Sequence, residues 1–252
     1  MIIEEHFTGF LVIWSLIGMA VFVALFFKVA PYGRYTNPKP LLQISSKSGW
    51  ILMESPSIIG IVIFFILFYE KIGLVETLFC TIWLIHYFHR TLIWPFRARL
   101  KDKKMPIGIA LLAFVFNTVN VSTQCVWIFL LGEYSQEWIS SPQFIIGISI
   151  FAAGMYINVR SDNILMNLRE ENDKGYHTPK GFLYKYVSCP NYLGEIIEWL
   201  GWAILTLSPA GLVFLLWTFA NLVPRAKANH RWALDNIDNY PNNRKAIFPL
   251  LY

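Results

Sequence analysis

From Tyr192 the chain reads Tyr192-Leu-Gly-Glu-Ile-Ile-Glu-Trp-Leu-Gly-Trp-Ala-Ile-Leu-Thr-Leu-Ser208-Pro209-Ala-Gly-Leu-Val-Phe-Leu-Leu-Trp-Thr-Phe-Ala-Asn-Leu-Val223. A membrane crossing takes roughly 20 helical residues, so this run is too long for one ordinary span. Ser208-Pro209 falls at its centre, which makes it either one kinked helix or a tight pair of short ones. Charge separates the two readings. Of the 21 lysines and arginines, all but Lys71 fall in four clusters, Lys28 to Lys47, Arg90 to Lys104, Arg160 to Lys185 and Arg225 to Lys245. Short cytoplasmic loops carry the excess of basic residues. Two spans between Tyr192 and Val223 put all four clusters on the cytoplasmic side, whereas one span puts the last outside.

The expectation is an all-α integral membrane protein of seven transmembrane helices, N-terminus outside and C-terminus cytosolic. The helices fall near 7–29, 50–69, 72–94, 107–131, 144–165, 192–208 and 210–227, with a cytosolic tail at 228–252 that reads as a short lid from Asp235 onward. Composition agrees: 56% hydrophobic, 17% aromatic and 15% charged residues are more apolar surface than one soluble core can hide. The net charge of +5 lies between apolar runs, so topology accounts for it and no nucleic-acid partner is expected. Cys80, Cys125 and Cys189 have neither disulfide nor zinc spacing. Met1-Ile-Ile-Glu-Glu5 carries acid where a signal peptide carries base, so the first apolar run is expected to be retained. No internal repeat is visible, and a single membrane domain, 1–252, suffices.

Ionisable side chains at membrane depth are costly and mark candidate sites. Glu54 lies just inside the second span, where Pro56 can break the helix and leave a carboxylate facing a cavity. The third span carries His86-Tyr-Phe-His-Arg90. His86 and His89 could sit on one face as metal ligands, but five histidines in the chain are too few for a membrane di-iron centre, and no metal is expected. Glu54 and Tyr87 lie at similar depth and together could polarise a carbonyl oxygen. Asn158, Asp162, Leu165 and Arg169 form one stripe at helical spacing, and Asn191, Glu195 and Glu198 form another. Arg169, Arg225, Arg231 and Arg244 are available as their partners. Without a glycine-rich phosphate loop, side chains would have to hold any phosphorylated cofactor: guanidinium forks for phosphate, amides for base edges, a carboxylate for ribose. That inventory fits a dinucleotide and leaves S-adenosylmethionine open.

His86-Tyr-Phe-His-Arg-Thr91, Asn158-Val-Arg-Ser-Asp-Asn-Ile-Leu165, Tyr186-Val-Ser-Cys-Pro-Asn-Tyr-Leu-Gly-Glu-Ile-Ile-Glu-Trp199 and Asp238-Asn-Tyr-Pro-Asn-Asn-Arg-Lys-Ala-Ile-Phe-Pro249 closely resemble the steroid 5α-reductase family, from about Tyr32 to the C-terminus. The resemblance implies a membrane enzyme that uses NADPH to reduce the Δ4 double bond of 3-oxo-Δ4 steroids such as testosterone or progesterone. By the same motifs it implies Glu54 and Tyr87 as the catalytic pair at the C3 carbonyl. Asn158, Asp162, Arg169, Tyr176, Asn191, Glu195, Arg225 and Arg244 match positions around NADPH, with Arg169 or a neighbour reading the 2′-phosphate. Vertebrate members differ at Asn229 to Ala233 and at Cys189-Pro190, so His230 is left out of the expected site. The implied partners are the steroid and membrane lipid, and the implied membrane is the bacterial inner membrane or the endoplasmic reticulum. Rival readings are a trans-2-enoyl thioester reductase, an isoprenylcysteine-type methyltransferase using S-adenosylmethionine, and a non-catalytic sterol carrier. The carrier reading is weakened by the lack of repeats.

Overall fold

The computed structural model describes residues 2–35, 42–98, 100, 103–168 and 176–249. It divides into two compact units, one of residues 30–144 and one joining Met1–Val29 to Ile145–Tyr252. Among the described residues, four helices are long and apolar enough to cross a membrane: Ile2–Phe27 (α1), Ser46–Leu67 (α2), the stretch Ile107–Leu131 that contains α5 (Ile107–Val126), and Pro142–Asn167 (α6). Their apolar side chains are largely exposed in the protein, as in Val12, Leu16, Ile63 and Leu112, which is the surface a bilayer covers. The chain is an all-α membrane protein with one small addition.

That addition is a two-stranded antiparallel pair in the 30–144 unit, β1 (Gln43–Ser45) against β2 (Lys104–Pro106), with Ile44 opposite Met105. Each strand runs straight into a helix, α2 or α5, so the pair starts both helices side by side. Ser45 caps α2 by accepting from the Ser48 N–H at 3.0 Å. The two helices then run in the same direction: Asn117 reaches Met53, and Phe129 beyond α5 stacks on Phe64. Helix α3 (Leu74–Phe88) opens where the Glu76 carboxylate accepts from the Gly73 N–H at 3.0 Å, and it returns antiparallel to α2. It continues through a π-helical turn at His89–Ile93 into α4 (Trp94–Arg97). There Trp94 packs on Trp50 at the start of α2, with the Arg90 guanidinium 4.9 and 5.1 Å from the two rings.

The second unit holds α1, α6, α7 (Pro190–Thr206) and α8 (Pro209–Asn236). The long apolar run from Tyr192 to Val223 is a tight helical pair. Leu207 takes the left-handed conformation (φ 42°) that stops α7, and the Ser208 hydroxyl accepts from the Gly211 N–H at 2.8 Å to start α8 behind Pro209. Helix α8 extends to Asn236, past the expected end at 227. Arg225 to Asn236 hold no glycine or proline, so the helix outlasts the apolar stretch that sequence hydropathy marks. Likewise α1 already begins at Ile2 rather than 7, its acids Glu4 and Glu5 lying in the first turn where the helix dipole favours them.

Helices α6 and α7 run antiparallel with backbones in contact. A Cβ on Gly154 would collide with the Glu198 backbone nitrogen, and one on Gly201 with that of Phe151. Moving one turn down α6 from Gly154 is therefore moving one turn up α7 from Glu198, which brings Asn158 to Gly194. After α8 the tail turns at Asn239 (φ 55°) and returns to the segment before α7, where Val187 and Lys245 form a parallel bridge.

Candidate functional site

Two polar sites emerge, one in each unit. In the 30–144 unit, Pro56 cannot donate to the Leu52 carbonyl, and the Ser55 hydroxyl does so instead at 3.0 Å. Two neighbouring carbonyls also take side-chain donors: Asn117 Nδ2 donates to Met53 O at 2.7 Å and Trp83 Nε1 to Ser57 O at 2.9 Å. The same Asn117 amide donates to Glu54 Oε2 at 3.3 Å. Glu54 is half-buried on this broken turn, so its carboxylate is held by a neighbouring helix. Tyr87 is buried at 3% exposure, its ring 4.7 Å from Trp83 and 4.9 Å from His86. Because α3 runs antiparallel to α2, one turn beyond Trp83 corresponds to one turn before Ser57. Tyr87 and Glu54 thus share a level on the two helices.

The second site lies around the α6–α7 contact. Asn158 Nδ2 donates to the Asn191 carbonyl at 3.0 Å, and Asn191 Nδ2 donates to Asp162 Oδ1 at 3.0 Å. Tyr184, wholly buried, donates to the Ser161 carbonyl at 3.2 Å. Burial, with Asp162 adding to it, holds the Tyr184 phenol well above its ordinary pKa, so it stays a neutral donor. On the tail, Arg244 is buried at 6% exposure. Its Nη2 donates to Pro179 O at 2.8 Å and its guanidinium lies 4.9 Å from the Tyr240 ring centre. Its Nε and Nη1 are buried without a hydrogen-bond partner among the described residues. Buried charged donors of this kind call for an acceptor, and a phosphate or carboxylate oxygen pair matches the fork.

Comparison with known proteins decides the family. The family model described as 3-oxo-5-alpha-steroid 4-dehydrogenase matches residues 103–252. A steroid 5-alpha-reductase of Solanum lycopersicum is 41% identical over 254 aligned residues, covering 99% of this chain and 98% of its own. The Arabidopsis thaliana steroid 5-alpha-reductase is 40% identical over 240 residues, and the human 3-oxo-5-alpha-steroid 4-dehydrogenase 1 is 36% identical over 239, with 94% of this chain covered. The chain belongs to the 3-oxo-5-alpha-steroid 4-dehydrogenase family.

In this family member the residues expected at the site fall as follows. Asn158, Asp162 and Asn191 form one hydrogen-bonded set, while Glu195 is half-buried on the next turn of α7. Glu198, left out of the expected set, is wholly buried against Gly154. Arg225 is buried at 9% exposure on α8. Tyr176 is half exposed with its ring 4.5 Å from Trp232. Arg169 lies outside the described residues. Sequence reasoning missed Asn117, although Asn117, Asn120 and Gln124 at i, i+3 and i+7 in an apolar span were a signal for a buried polar face. All three amides are buried. It also missed Ser188 and Tyr240, and set His230 aside. Tyr240 OH donates to Ser188 Oγ at 2.8 Å, and Ser188 Oγ lies 2.7 Å from His230 Nδ1. No helical periodicity joins these three positions. Among the described residues no group of three or more histidine, cysteine or acidic side chains could hold a metal ion.

Proposed function

We propose that the protein reduces the Δ4 double bond of 3-oxo-Δ4 steroids to 5α-dihydro-3-oxosteroids with NADPH. Its relatives are steroid 5-alpha-reductases along almost the whole chain, and the observation that carries the reading to these residues is the Asn117 amide bonded to Glu54 Oε2 at the level of Tyr87. NADPH, when bound, supplies the hydride. The Tyr87 phenol donates to the C3 carbonyl oxygen of the steroid, and Glu54, held by Asn117, orients that donor. As hydride reaches C5, negative charge collects on the C3 oxygen, and hydrogen bonds fixed beforehand in a dry site stabilise it without reorganising. Neither residue is required as the source of the proton that completes C4.

The buried, unmatched donors of Arg244 fit a phosphate of the dinucleotide, and the Asn158–Asn191–Asp162 set offers amide and carboxylate groups for its polar edges. Tyr176, Glu195, Arg225 and Arg169 complete the proposed cofactor residues. The protein crosses the membrane seven times as one domain, N-terminus outside and C-terminus cytosolic, in the inner membrane of a bacterium or the endoplasmic reticulum of a eukaryote. Anaerobic turnover of progesterone or testosterone with NADPH in detergent tests the reading, with product mass as readout. A 5α-dihydro product supports it. Reduction confined to enoyl thioesters, or S-adenosylmethionine binding without NADPH oxidation, moves the protein to a rival reading.

A further inference from the structure

We propose that Ser188, His230 and Tyr240 form a hydrogen-bonded latch that fastens the C-terminal tail to the segment before α7 and, through the Tyr240 ring, positions the Arg244 guanidinium. Tyr240 OH donates to Ser188 Oγ, which lies 2.7 Å from His230 Nδ1, within reach for the Ser188 proton when that nitrogen is unprotonated. Nδ1 accepts only in the neutral ring that carries its proton on Nε2. Tyr240 is the joint: its hydroxyl ends on Ser188, its ring meets the His230 ring edge-on at 6.3 Å, and its other contact is the Arg244 guanidinium. One side chain thus links α8 to the buried charge on the tail.

The backbone of the tail is fastened at the same place. Ser188 and Cys189 donate to the carbonyls of Lys245 and Ala246 at 2.8 and 3.1 Å, and Lys245 donates to Tyr186 O at 2.9 Å. Ala246 and Ile247 pack with Cys189, Leu193 and Ala226 in one apolar cluster. The latch and these backbone bonds close the same stretch of tail, and Tyr240 is buried within it at 7% exposure.

The latch is sensitive to acid. Facing His230 are Ser188 from the segment before α7, and Tyr240, Arg244 and Lys245 from the tail. Burial, Lys245 and Arg244 all disfavour the charged imidazole. Protonation turns Nδ1 into a donor, so the Ser188 hydroxyl has to turn its own proton away, and it sets a positive ring beside Lys245 and Arg244. Only the identity of the anion that Arg244 receives rests on the dinucleotide reading above.

The test compares wild type with His230→Ala, His230→Asn and Tyr240→Phe in the full chain without ligand, by amide hydrogen exchange at Ser188, Cys189 and Lys245, each variant taken as a ratio to wild type at the same pH. At neutral pH, His230→Ala and Tyr240→Phe should lose at least about tenfold protection at these amides. His230→Asn, whose side-chain oxygen can still accept from Ser188, should keep it. Between about pH 8 and pH 5 wild type should lose protection while His230→Asn does not. Equal protection in wild type and both loss variants, or the same acid loss in His230→Asn, overturns the latch. The second readout is 2′,5′-ADP binding, whose dissociation constant should rise about tenfold in Tyr240→Phe. Unchanged affinity despite lost protection overturns the positioning of Arg244. No binding of 2′,5′-ADP to wild type overturns the dinucleotide reading, and the exchange data then still decide the latch.

Discussion

Glu54 shows how one side chain acquires a role from its surroundings. By itself it is an acid near the end of a span; with Pro56 two residues on and Asn117 across the helix interface, its carboxylate is oriented rather than solvated. If Glu54 and Tyr87 polarise the carbonyl, Tyr87→Phe and Glu54→Gln should each lower kcat by about 10²- to 10³-fold, the size of a lost oxyanion donor, with NADPH affinity unchanged in a binding titration. Asn117→Leu keeps the bulk but removes both bonds, and it should lower kcat by about tenfold with intact folding. A rise in KM with kcat unchanged would point to substrate binding instead. At the second site, Arg244→Ala should weaken NADPH binding by about 10- to 100-fold, since hydrogen bonds to charged groups contribute about 1.5 to 3 kcal/mol. Equal binding by Arg244→Ala and wild type would remove Arg244 from the cofactor set.

The helices contribute register. The α6–α7 contact is fixed by Gly154 and Gly201, whose missing Cβ atoms let backbones touch and set Asn158 against Asn191. A side chain at Gly154 has only backbone to push against, so Gly154→Val should destabilise by at least about 1 to 3 kcal/mol, read as a lowered Tm in detergent, and should separate the amide from its partner. Pro56 does the opposite in α2, opening a helix where its neighbour needs donors and acceptors. These effects were partly legible. Pro56 stands two residues after Glu54 in the chain, and the stripe from Asn158 to Asp162 follows helical spacing. The β1–β2 pair was not legible, because three-residue strands with no alternating pattern are made by the helices that they start.

For the whole molecule, His230 connects pH to tail stability. Its pKa lies below the ordinary histidine value of about 6.5, so the folded tail favours the neutral ring and the unfolded chain binds the proton more readily. The stabilisation is therefore present above about pH 6.5 and is lost as pH falls through the lowered folded value. Thermal unfolding followed from about pH 8 to pH 5 should show a loss that His230→Asn flattens. Topology can be measured as well. A cysteine introduced at Ser135, between α5 and α6, should react with an impermeant thiol reagent from outside intact cells, and one at Lys185 only after lysis. The reverse pattern would invert the proposed orientation.

The sequence determined by itself that the chain is helical and membrane-bound, because apolar run length and the grouping of basic residues are properties of a linear string. It also held the family motifs, since Glu54, Tyr87, Asn158, Asp162, Asn191 and Arg244 each stand in short recognisable segments. Tertiary structure alone decided which of these touch. Asn117 is bonded to a carboxylate 63 residues away, Arg244 to a carbonyl 65 away, and Ser188 joins residues 42 and 52 positions on. Such pairings depend on helix direction, glycine-set register and the return of the tail, and local pattern carries no information about any of them.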